Sequence, residues 1–178
     1  YQVKFRIINS FGFALTPEIN FESTGLEIWP DVEELADGRI LMTNFGSGTG
    51  RFAIYDDTGA VSVPTTSFTT SVSGNFPERM QAAALPDGRF VIVWLDAASE
   101  VRGQIFFGNG DKDGAEFAVA SVTTNDQGRP SIDVLADGRF MVAWETNEDG
   151  SQKVKYTIFD PREGNQILTG TADGDLLN

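Results

Sequence analysis

Three near-identical turns constrain this chain more than any other feature. LADGRI occupies Leu35–Ile40, LPDGRF Leu85–Phe90 and LADGRF Leu135–Phe140, and the Asp-Gly-Arg triplets begin at Asp37, Asp87 and Asp137, fifty residues apart each time. Each turn is flanked by β-favouring residues, as in SIDVL before and FMVAW after the third copy. A glycine can take the positive φ that a tight hairpin loop needs, and the preceding Asp can bond the turn backbone. The pattern predicts β-hairpins at 32–43, 82–94 and 131–144.

A second motif follows each hairpin: GRFAIYD at Gly50–Asp56, VRGQIFF at Val101–Phe107 and VKYTIFD at Val154–Asp160, with a further copy, VKFRIIN, at Val3–Asn9. Each alternates and leads to a turn glycine, so each is read as a strand entering another hairpin. The partner strands are expected at Phe13–Ile19, Val61–Phe68 and Phe117–Ser121. The unit is four antiparallel strands in about 50 residues, with no helical periodicity. One twisted four-stranded sheet cannot bury both faces alone, so neighbours must stack on it. Repeats of this length point to an all-β, β-propeller-like fold. Phe90, Val91, Val93, Trp94, Phe140, Val142 and Trp144 are expected to pack between blades. Arg39, Arg89 and Arg139 recur at one place and are expected to bond carbonyls or carboxylates of neighbouring blades.

If the first blade begins at residue 1, the chain holds three whole blades and a spare strand, Val154–Asp160. Three blades do not close comfortably. Three readings stay open: a piece of a longer array, a ring completed by a second chain, hence self-association, or a compact β-sandwich or other β arrangement. The repeat domain is taken as 1–167, and 168–178 as a tail.

The chain has 26 acidic against 13 basic residues, a formal net charge of −13, and neither Cys nor His. Such a chain is repelled by nucleic acid and by anionic membranes, and no apolar run is long enough to span a bilayer. Disulfides, thiolate nucleophiles, imidazole bases and the usual zinc ligand sets are excluded. What remains is oxygen chemistry. Asn109, Asp111 and Asp113 stand in an N-x-D-x-D-G spacing, and Glu145, Asn147 and Asp149 in E-x-N-x-D-G; oxygen ligands at alternate positions before a Gly suit Ca2+. Asp173 and Asp175 in the tail are the third candidate group. For each group the plainer reading is a solvated polar turn.

The tail, Leu168–Asn178, resembles the opening of repeats-in-toxin (hemolysin-type calcium-binding) segments, whose nonapeptide reads G-G-x-G-x-D-x-U-x; only part of one repeat is present, and Asp173-Gly174 departs from the usual order. The array P-S-I-x-V-L-A-D-G-R-F-x-V-x-W followed by V-x-x-x-I-F-D resembles a repeat of large secreted bacterial proteins carrying such tails. It is borne by Pro130–Trp144 with Val154–Asp160, and by Gln81–Trp94 with Val101–Phe107; in the first copy Asn44 replaces Trp. The resemblance implies a secreted or cell-surface place and calcium somewhere in the parent protein, and implies no catalytic activity.

On these grounds the leading expectation is a non-catalytic extracellular adhesion, binding or structural module, not an enzyme, with a glycan or cell-surface partner. Trp29, Tyr55 and Phe107 are candidate sugar-stacking aromatics. One alternative is a propeller-type glycan-processing hydrolase using paired carboxylates. Another is a subunit of a surface or filament assembly.

Overall fold

The structure, a computed structural model, describes residues 3–21, 27–46, 49–69, 80–120, 127–147, 150–162 and 166–168. Three four-stranded antiparallel sheets follow one another along the chain, preceded by a two-stranded sheet. The two-stranded sheet pairs β1 (Lys4–Phe5) with β2 (Ile19–Asn20). Blade A contains β3 (Glu27–Glu34), β4 (Ile40–Gly46), β5 (Thr49–Tyr55) and β6 (Val61–Thr69). Blade B contains β7 (Gln81–Ala84), β8 (Phe90–Leu95), β9 (Val101–Phe106) and β10 (Lys112–Ala118). Blade C contains β11 (Gln127–Val134), β12 (Phe140–Thr146), β13 (Lys153–Asp160) and β14 (Gln166–Leu168). In each blade the strands lie side by side in chain order, the all-β, propeller-like arrangement expected of the repeat.

The frame of the repeat differs from the one counted from residue 1. Each blade opens with its Asp-Gly-Arg hairpin, so Val154–Asp160 belongs to the third strand of blade C and is not spare. The pair outside the complete blades is β1–β2, which stands where the third and fourth strands of a blade stand. Two repeat-equivalent glycines show this. A Cβ at Gly59 would run into Ile19 Cδ1 of β2, and a Cβ at Gly110 would run into Val63 Cγ1 of β6. Thus β2 lies on blade A as β6 lies on blade B.

The three Asp-Gly-Arg turns are built alike. Leu35, Leu85 and Leu135 donate their N–H to the carbonyls of Arg39, Arg89 and Arg139 at 2.7–2.8 Å. Gly38, Gly88 and Gly138 adopt φ of 82–89°, where a side chain would be strained. Each Asp accepts the N–H of the following Arg at 3.0–3.1 Å. β3 and β11 also share a register shift beside Pro30 and Pro130, where a residue without an N–H fits a bulge.

The cores lie between blades. Leu35, Leu41, Phe52 and Ile54 of blade A meet Phe90, Ile92, Trp94 and Phe106 of blade B. Val91, Val93 and Ile105, on the opposite face of blade B, meet Phe140, Val142, Trp144 and Phe159 of blade C. Val3 and Phe21 cover Met42, Ala53 and Tyr55 on the remaining face of blade A. Burial along equivalent strands follows from this order. FVIVWL of β8 is buried on both faces because blade B has two neighbours, whereas FMVAWET of β12 alternates because one of its faces is uncovered among the described residues. The expected inter-blade residues all lie in these seams.

Three further expectations change. The strand that partners β1 is Ile19–Asn20, not Phe13–Ile19. Tyr55 is 1 % exposed and its ring packs edge-on against Phe5, so it is a core residue and offers no sugar platform. The fourth strand of blade B runs from Lys112 to Ala118, not from Phe117 to Ser121. Gly110 at φ 89° lets Phe107 N–H reach the carbonyl of Asp111, so the chain reverses at once and Asp113 enters the sheet.

Candidate functional site

Every blade begins with an edge strand, and β7 packs against both β3 and β11. These three first strands therefore form the inner wall about which the blades fan. Carboxylates stand on the outer two. Asp31 and Glu33, two residues apart, share one face of β3, paired across to Thr43 and Leu41 of β4. Asp31 Oδ2 accepts the N–H of Ala82 on β7 at 2.9 Å, which turns this face toward the neighbouring blade. Asp133 stands on β11, opposite Met141 of β12. β7 itself reads QAAA, and its small side chains put little bulk between the acids on either side.

The electrostatic result is specific to Glu33. Its proton affinity is raised above the ordinary carboxyl value, first by partial burial, then by the negative charges of Asp31 and Asp133. A carboxyl whose proton affinity is raised beside two carboxylates is placed to give up a proton to a ligand. Asp31 and Glu33 are half-buried and Asp133 is exposed, so the group is open to a ligand.

None of these three was among the acids singled out by spacing. Their signal lay in the repeat. Counting four residues back from each Asp-Gly-Arg gives Glu33, Ala83 and Asp133, so two of three equivalent inner-strand positions carry an acid.

Several of the residues expected to bind calcium make hydrogen bonds within the protein. Asn109 donates its side-chain amide to Asp111 Oδ2 at 2.8 Å and accepts the Asp111 N–H at 3.0 Å. Asp113 Oδ2 accepts from Arg89 Nη1 at 2.7 Å. Glu145 is in β12 and accepts from Arg129 Nη1 at 3.1 Å. Asn147 closes a turn by accepting the Gly150 N–H. Asp149, Asp173 and Asp175 lie outside the described residues. Among the described residues no three acidic side chains gather around one cation position. Of the aromatic candidates, Phe107 is exposed, and the side chain of Trp29, which lies on β3, is outside the described residues.

The recurrent arginines act as expected at two of three sites. Arg39 donates to the carbonyl of Gly108 in blade B at 2.7 Å, and Arg89 to that of Pro161 in blade C at 3.1 Å. Gly108 and Pro161 hold the same place in their turns. Arg139 pairs with Asp137 at 2.7 Å. In blade C the neighbouring Arg162 holds Asp160 down to a pKa of about 2.

No protein-family model matches the chain, and no curated protein matches it. Among solved structures it is similar to an endo-arabinase from Bacteroides thetaiotaomicron, at 17 % identity and a TM-score of 0.46 over 79 % of this chain and 61 % of that one. It is also similar to a Penicillium chrysogenum alpha-L-arabinanase complexed with arabinobiose, at 13 % identity and a TM-score of 0.47 over 81 % of this chain and 52 % of that one. The chain thus spans about half to six-tenths of their lengths. Both are enzymes, and the expectation of a non-enzyme is withdrawn as a correction on that finding. No helix among the described residues is long and apolar enough to cross a membrane.

Proposed function

We propose that this chain contributes to hydrolysis of a glycan, with Glu33 as the acid that protonates the glycosidic oxygen. The observation that supports it is the raised proton affinity of Glu33 between Asp31 of its own strand and Asp133 of blade C. In such a reaction the carboxylic acid gives its proton to the departing sugar oxygen, while a second, ionised carboxylate assists the attack of water at the anomeric carbon. Asp133 is assigned the second role, as the carboxylate on the inner strand of blade C whose charge reaches Glu33. Asp31, anchored by the Ala82 N–H, is a positioning residue whose charge raises the proton affinity of Glu33. The resemblance of the repeat to those of secreted bacterial proteins favours an extracellular polysaccharide as substrate.

The test is release of reducing ends from a panel of soluble polysaccharides between pH 4 and 8. Wild type is expected to act on at least one of them, with activity falling as pH rises and Glu33 ionises. Glu33→Gln is expected to lose about a hundredfold or more while keeping its circular dichroism spectrum. No release from any member of the panel, or full activity in Glu33→Gln, overturns the proposal.

A further inference from the structure

The arm that leads from β1 to β2 departs from its repeat counterparts at its turn. Residues 10–15 are all exposed, among them Phe11 at 84 % and Phe13 at 70 %. Across residues 7–17 no side chain is charged, whereas the corresponding arm of blade A carries Asp56 and Asp57, and that of blade B carries Asp111, Lys112 and Asp113. The turn glycines Gly12, Gly59 and Gly110 fix the correspondence. Phe11 stands where Thr58 and Asn109 stand, and Phe13 where Ala60 and Asp111 stand. Those four residues are exposed as well, although blade B is covered on both faces. The exposure of the two phenylalanines therefore belongs to the turn itself and not to an uncovered blade face. Ile8 is set aside, because its counterparts Tyr55 and Phe106 are each 1 % exposed.

The backbone of this turn is satisfied from within. Asn9 Oδ1 accepts the N–H of Phe11 and that of Phe13, each at 3.0 Å. Gly12 donates its N–H to the Asn9 carbonyl and Asn9 donates to the Phe13 carbonyl, both at 2.9 Å, and Leu15 donates to the Ile7 carbonyl at 2.8 Å. Ile7 N–H reaches Thr16 Oγ1 at 3.1 Å. Donors bonded in this way, on an arm without charge, can leave water without being orphaned.

The size and chemistry of the tip select what covers it. Sugars stack on aromatic rings but also need polar side chains for their hydroxyls, and the oxygen of Asn9 is committed to the turn. A stable protein partner needs about 800 Å² on each side, more than two phenylalanines offer at about 150–250 Å² each. A lipid surface needs neither. With a net charge of −13, the chain is repelled by anionic headgroups and not by zwitterionic ones.

We infer that the turn Phe11-Gly12-Phe13 is a lipid-docking tip that seats the protein on a zwitterionic membrane surface. The two rings enter the boundary between headgroups and acyl chains, about 5–10 Å deep, which is about two to three residues of extended chain. Docking is peripheral and reversible, and it does not depend on Glu33.

The probe is phosphatidylcholine vesicles, sedimented with the purified chain. Saturable binding of wild type is expected, with no gain when phosphatidylserine is added at low salt. Phe11→Thr combined with Phe13→Ala gives this tip the residues of the blade A turn, and should weaken binding about tenfold or more with an unchanged Tm. The chain has no Cys, so Ser10→Cys carries an environment-sensitive dye at the turn, and its emission should shift to the blue on adding vesicles. Four results overturn the inference: no binding to the vesicles, binding only when phosphatidylserine is present, equal binding of the double variant, or a dye that stays in water while the chain binds. A blue shift produced by a soluble oligosaccharide alone, or a concentration-dependent dimer that the double variant abolishes, also overturns it by making a sugar or a second copy the occupant. Binding is read without any substrate, so the outcome for hydrolysis has no bearing on these readouts.

Discussion

Glu33 and Asp37 belong to one hairpin, four residues apart, and their proton affinities move in opposite directions. Burial works against the charge of Asp37, but the backbone and side chain of Arg39 hold its pKa below the ordinary value. Glu33 has burial and two like charges acting on it, so its pKa rises. Because the folded pKa of Glu33 lies above its unfolded value, its ionisation destabilises the fold above that folded pKa. The burden vanishes as pH falls below the ordinary value of 4.5. Glu33→Gln should therefore be more stable than wild type at pH 7–8, by no more than about 1 kcal/mol once solvent screening is allowed for. The difference should fade in acid. Thermal unfolding of both proteins across that pH range checks it, and a variant that is less stable at neutral pH contradicts the account of Glu33. The Asp-Gly-Arg turns were legible residue by residue, because a tight turn draws on local chemistry. Glu33 and Asp133 were not, because what distinguishes them is the charge brought near them by another blade.

Gly103 sits within β9 on a strand otherwise made of larger residues, and its reason is the strand beside it. Phe117 of β10 lies directly opposite, and a Cβ on Gly103 would come within 2.5 Å of its ring. That ring also packs against Phe159 of blade C at 5.1 Å, so it cannot move away without disturbing the seam. Gly103→Ala should cost about 1–3 kcal/mol through overpacking, read as a lower urea midpoint, and Gly103→Ala combined with Phe117→Leu should recover part of the loss. Strand existence and order were readable from alternation and turn glycines. The start of β10 was not, since N-x-D-x-D-G fits a loop and a hairpin equally until Gly110 reverses the chain at its third bond.

Among the described residues blade A packs on blade B and blade B on blade C, so the joints can be weakened one at a time. Arg39 ties blade A to B through one carbonyl. Arg89 ties B to C through the Pro161 carbonyl and is itself braced by Asp87 and Asp113, which raise its affinity for the proton and hold it in place. Arg89→Ala should therefore cost about 1–3 kcal/mol, and Arg39→Ala less. Hydrogen exchange should locate the losses: faster exchange in β12 for Arg89→Ala, and in β8 for Arg39→Ala. Equal stability of wild type and Arg89→Ala would contradict a structural role for the recurrent arginine. Val154 and Tyr156 are exposed on blade C, and the corresponding positions Gly50 and Phe52 of blade A are buried. The difference arises because blade A is covered on that face by blade B.

By itself the sequence determined the repeat, its turns, its strand order and the apolar positions of the seams, because hairpin geometry and side-chain alternation are local and recur every fifty residues. It also excluded thiol and imidazole chemistry through the absence of Cys and His. Tertiary structure decided where a blade begins, since every strand of a repeat is read equally well from any starting point until stacking selects one frame. It also decided which acids meet. Asp111 and Asp113 are close along the chain, and in the fold Asp111 accepts from Asn109 and Asp113 from Arg89. Asp31, Glu33 and Asp133 are scattered over about a hundred residues and become one electrostatic unit only when three blades share an inner wall.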